Sequence, residues 1–209
     1  MGTAMRAALV SALLVAACNV PEAPNRSDNY PFQGPTGEVF SWPDSIMPVR
    51  IWAEDRGPNV RNTLAALLLW ENQFLYREFR GTIWHDSSTA EIQILLSGTV
   101  PDIAINGDSP VRACAGATGF TLDNGRVLRM IVQVTGFAGF ADQDIANCVF
   151  RTTAHELGHA LGLLNLGHVG TDASDLMFGD PQVSAASNAD RNTIQILYHT
   201  EPNLEAAGR

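Results

Sequence analysis

The chain has 209 residues, 45% of them hydrophobic, which suffices for one domain with a well-filled core. Its 22 acidic residues against 13 basic ones give a formal net charge of −9, and the basic residues, all arginine, form no patch or run. That excludes a nucleic-acid surface, while the acidity itself points only to solubility. The first element in chain order is a leader. Arg6 supplies a positive start, and Ala7 to Ala17 is an apolar run of signal-peptide length, too short to span a bilayer.

The leader ends Leu14-Val15-Ala16-Ala17-Cys18, which resembles the lipobox of bacterial lipoproteins. The resemblance implies cleavage before Cys18, lipid on that cysteine, and an exported protein held at a membrane surface of the bacterial cell envelope. An ordinary secretory signal with a nearby small-residue cleavage site is the other reading. Residues 18–41 are polar and punctuated by Pro21, Pro24, Pro31 and Pro35, and read as a tether. The domain is expected from Trp42 to the end, giving the division 1–17 leader, 18–41 tether and 42–209 main domain.

Within that domain, Val49 to Glu54 alternates like a strand. Apolar residues from Val60 to Phe79 recur at a helical period that ends before Gly81. Glu91 to Leu96 alternates again. Gly116 to Leu122 and Arg126 to Val134 flank Asp123-Asn124-Gly125, a hairpin signal. From Asp142 a longer helix follows, with a stripe at Ile145, Val149, Phe150, Ala154, Leu157 and Leu161. Asp190 to Tyr198 reads as a last helix. The fold class is α+β.

The long second helix carries His155-Glu156-Leu157-Gly158-His159. Histidines four apart lie one above the other on a helix, so both imidazoles can reach one metal ion. The carboxylate beside the first can take a proton from metal-bound water, and the pattern points to zinc-assisted hydrolysis, usually of a peptide bond. Gly162, seven residues after His155, can adopt positive φ, end the helix and turn the chain back.

The stretch from His155 to Leu163 resembles the metzincin metallopeptidases, in particular their matrixin-like branch. The resemblance implies a twisted mixed sheet backed by two long helices, and a small C-terminal subdomain with a Met-turn and a terminal helix. It also implies one catalytic Zn2+ ion. It places a third histidine three residues after the glycine, where this chain has Asn165. His168 follows three residues later, after a short insertion, Leu164 to Leu166. Two candidates therefore compete for the third ligand. Asn165 has the family spacing, but a neutral amide oxygen is a poor partner for zinc beside two imidazoles. His168 has the right chemistry and the right register to Met177. Asp172 or Asp175 is a more distant choice. Met177 stands where the Met-turn methionine packs beneath the metal, and Phe178 stands where relatives often carry tyrosine in a pocket wall.

The mechanism implied by the resemblance has His155, His159 and His168 holding zinc, with Glu156 as general base toward the zinc-activated water. Tyr198 is an unplaced candidate for oxyanion stabilisation. The substrate is expected to be a protein or peptide, laid along an edge strand at Ala115 to Leu122. Two other readings stand beside it: a catalytically inactive zinc-binding surface lipoprotein, favoured by Asn165, and a zinc amidase acting on cell-wall peptides. Cys114 and Cys148 are an even pair in an exported domain, which suggests one disulfide. Asp102, Asp108, Asp123 and Asp172 form no recognisable calcium loop, so structural Ca2+ has no support here.

Overall fold

The structure is a computed structural model that describes residues 29–97, 115–135, 142–165, 172–179 and 182–209. Its architecture is α+β. Five strands, β1 (Val49–Ala53), β2 (Gly81–Ile83), β3 (Ile92–Ser97), β4 (Gly116–Asp123) and β5 (Arg126–Thr135), form one mixed sheet in the order β2-β1-β3-β5-β4. Strand β1 runs parallel to β2 and β3, β3 runs parallel to β5, and β4 alone is antiparallel, joined to β5 by the expected hairpin. Asn124 and Gly125 both have positive φ, 51° and 78°. That is the backbone a two-residue hairpin turn needs to follow the strand twist. Strand β4 is thereby left at the edge of the sheet.

Two helices, α1 (Asn59–Glu71) and α2 (Asp142–Ala160), pack on each other, and both also contact the sheet. The inner positions of β1 and β3, Val49, Ile51, Ile92 and Ile94, are fully buried. Helix α1 buries Ala66, Leu67 and Trp70. The Trp70 indole donates to Ala154 O at 2.7 Å, tying α1 to the middle of α2. A third helix, α3 (Asn188–Tyr198), starts at a capping box in which Ser187 Oγ accepts from Asp190 N and Asp190 Oδ2 accepts from Ser187 N.

The structure departs from the sequence reading at two places in the fold. The helix expected over Val60 to Phe79 stops at Glu71. The apolar period beyond it is filled by loop residues: Phe74 and Phe79 are buried, and Phe74 meets Tyr198 of α3 edge-on at 4.8 Å between ring centroids. Gln195 and Arg191 of α3 hydrogen-bond Gln73 and hold the chain in that irregular path. The second departure is the tether. From residue 29 it is packed on the domain: Tyr30, Phe32, Val39 and Phe40 are buried, and Phe32 O accepts from Leu164 N at 2.8 Å. The prolines read as a tether, but the interleaved aromatic residues favour burial over exposure. The tether and domain boundary at residue 41 therefore does not coincide with a change in packing.

Candidate metal centre

Helix α2 presents His155, Glu156 and His159 in a buried setting, 2%, 5% and 6% exposed. It is buried because Val149, Ala154 and Leu157 of the helix and Leu161 just after it belong to the core. Its C-terminal end is a Schellman turn: Leu163 N bonds Gly158 O and Gly162 N bonds His159 O. Gly162 has φ +115°, and a Cβ on it would lie 2.0 Å from Phe40 O. Only glycine allows both the backbone angle and this approach. The Trp42 indole caps Ala160 O at 3.0 Å and the Tyr198 hydroxyl donates to Leu161 O at 3.2 Å. Tyr198 thus serves the turn, and burial pushes its hydroxyl pKa far up; the sequence-based suggestion that it stabilises an oxyanion is not supported by this placement.

The turn also orients the second histidine. His159 Nδ1 lies against Leu163 O, and His155 Nδ1 lies 2.8 Å from Leu176 O. A carbonyl can only accept, so each Nδ1 carries the proton. In neutral rings the two Nε2 atoms then present lone pairs, and they face each other at 3.1 Å. That spacing is close to the one two imidazole ligands of a single ion would have. Nitrogen ligands at about 2.0 to 2.1 Å around a tetrahedral centre stand about 3.3 Å apart. Donation of the second ring N–H to a backbone carbonyl is the usual orientation of a metal-ligating histidine. The residues present therefore suit a zinc-like ion.

The sequence reading expects a third donor from the segment after Gly162. His168 lies outside the described residues, as do residues 166–171 generally. Asn165 is half-buried and has an interaction partner of its own. Asp172 Oδ1 accepts from Ser174 N, and Asp175 Oδ2 lies 3.4 Å from Asp172 N, so these two carboxylates are engaged within their own loop. Among the described residues no group of three or more histidine, cysteine, aspartate or glutamate side chains forms a metal site.

Met177 is fully buried beneath α2, with its sulfur where a Cβ on Gly158 would be, 2.5 Å away; Trp70 closes the same gap at 2.7 Å. Gly158 thus lets the loop of Met177 lie against the helix. That loop is held from below by Asp190, whose carboxylate accepts from Leu176 N at 2.7 Å, Met177 N at 3.2 Å and the Tyr30 hydroxyl at 2.6 Å. Burial, with the Asp190 charge adding to it, raises the Tyr30 pKa well above its usual value, so the hydroxyl stays a donor. Asp190 fixes the peptide whose carbonyl orients His155. Sequence reading placed Asp190 only as a helix start; its S-x-x-D capping spacing was visible, its reach to Leu176 was not.

Glu156 is the one strongly perturbed acid of the centre. Burial pushes its pKa to about 7, opposed by a hydrogen bond from Thr118 of β4. Strand β4 runs alongside α2: Gly116 abuts Glu156 and Thr152, Thr118 meets Glu156, and Phe120 shares a pocket with His159. That pocket, about 150 Å3, is completed by Pro35, Glu38 and Leu164, so part of the expected tether walls the cleft. Phe178 is half-buried beside Met177. Cys148 is disulfide-bonded; Cys114, its expected partner, lies outside the described residues, as does Cys18. No protein-family model matches the chain, and comparison with curated proteins returns no match.

Proposed function

We propose that the protein is a zinc-dependent metalloendopeptidase of matrixin-like metzincin type. The observation that carries the reading is the facing pair of Nε2 lone pairs at 3.1 Å, each ring locked by a backbone carbonyl, next to a buried glutamate of raised pKa. His155 and His159 would hold the ion, with His168 as third donor and Asn165 as the alternative. Zinc, when bound, supplies a Lewis acid for the scissile carbonyl and a lowered pKa for water.

The chain's own residues do the rest. Glu156 accepts the proton of the attacking water on its carboxylate, and a pKa near neutrality suits it to hand that proton to the leaving amine. The Leu163 and Leu176 carbonyls hold both imidazoles in the ligating tautomer. Edge strand β4 offers main-chain groups to an extended peptide. Export, lipid on Cys18 and a Cys114–Cys148 bridge belong to the same proposal, as does a peptide or protein substrate in the cell envelope. A purely structural zinc site gains nothing from a buried carboxylate beside it, which is why an inactive surface lipoprotein ranks second. A zinc amidase of cell-wall peptides would use the same centre.

The test measures metal content and cleavage of a quenched-peptide library. Wild type is expected to hold one zinc per chain and to lose cleavage with a chelator. Glu156→Gln should keep the zinc and lose nearly all cleavage. Protein purified without chelator that binds no zinc at micromolar concentration would refute the reading.

A further inference from the structure

We propose that Thr118 is a positioning residue for Glu156, and that Gly116 keeps open the space the carboxylate occupies. The proposal rests on the peptidase reading and adds to it the device that aims the general base. Thr118 Oγ1 lies 2.7 Å from Glu156 Oε2 and 2.9 Å from Glu156 O. Its single proton is therefore shared between the carboxylate and the main chain of the same residue. This ties the end of the side chain to its own backbone through one hydroxyl.

Glutamate has three rotatable bonds, and a buried carboxylate with no fixed partner would sample several rotamers. Threonine suits the task because its β-branch restricts χ1 and so fixes the hydroxyl direction. Two residues earlier on the same face of β4, Gly116 presents no side chain. A Cβ there would lie 2.5 Å from Glu156 Cγ and 2.6 Å from Oε1, with Thr152 Cγ2 at 2.7 Å behind. Glycine and threonine at alternate positions of one strand thus act together: the first makes room, the second clamps. The strand that clamps the base is also the edge open to an extended substrate.

The experiment compares Thr118→Val, which keeps the shape without the hydroxyl, with Thr118→Ser, which keeps the hydroxyl. For Val, kcat should fall about 10- to 100-fold, the scale of losing a charge-assisted contact that aims a reacting group, with KM changed less than about threefold. Ser should restore kcat to within about fivefold of wild type, since the donor is retained. Both variants should keep wild-type zinc content. A crystal structure of the Val variant should show the Glu156 carboxylate in a different rotamer. A Val variant with wild-type kcat, or a Ser variant as impaired as Val, overturns the proposal. If wild type cleaves no peptide at all, the peptidase reading fails, and the rotamer decides the positioning claim: a carboxylate unmoved in Thr118→Val overturns it as well.

Discussion

Removing the metal should leave a protein whose stability falls as the pH rises through neutrality, and Glu156 sets the size of the effect. Its pKa moves from 4.5 in the unfolded reference to about 7 in the fold, chiefly through burial. Between those two values the folded state binds more protons than the unfolded one. Stability therefore falls with rising pH: the cost is absent below about pH 4.5 and complete above about pH 7. Moving from 4.5 to about 7 corresponds to about 3.4 kcal/mol. The assay is urea unfolding of chelator-treated wild type and Glu156→Gln at pH 5 and pH 8. With an m-value of about 2 kcal/mol/M, and about 2.5 kcal/mol of that cost falling between pH 5 and pH 8, the wild-type midpoint should drop by roughly 1.2 M more than that of the Gln variant. The neighbouring histidines are common to both proteins, so the difference isolates the carboxylate. Parallel pH profiles for the two proteins would show that burial of Glu156 carries no such cost and would refute the account.

Asp190→Asn should weaken zinc binding by about 10- to 100-fold, because the amide cannot accept from Leu176 N, Met177 N, Ser187 N and the Tyr30 hydroxyl together; competition with a chromogenic chelator measures it. Gly158→Ala drives a methyl toward Met177 and Trp70 and should destabilise the protein by about 1 to 3 kcal/mol in chemical denaturation. Gly162→Ala meets both a φ of +115° and the Phe40 carbonyl and should leave little soluble folded protein, scored by circular dichroism of the recovered fraction. At pH 8, zinc in hundredfold excess over its Kd should protect the wild type by about 2.7 kcal/mol relative to chelated protein, read as a rise in Tm.

The sequence alone determined what is local and periodic. The pair His155 and His159 follows from the pitch of a helix whose opposite face must be buried. The end of that helix follows from Gly162, the only residue type that tolerates the turn, and the β4–β5 hairpin follows from Asn124-Gly125. Tertiary structure decided what depends on distant partners. Helix α1 ends at Glu71 because α3, over a hundred residues later, captures Gln73 and packs Tyr198 on Phe74. Residues 29–41 join the core because the turn after α2 and the head of α3 receive Phe32, Phe40 and Tyr30. The clamp of Thr118 on Glu156 and the hold of Asp190 on Leu176 span 38 and 14 residues. No period or motif encodes such contacts. They arise when a strand edge and a loop are brought against the same helix, and only then do a threonine, an aspartate and two glycines acquire their roles.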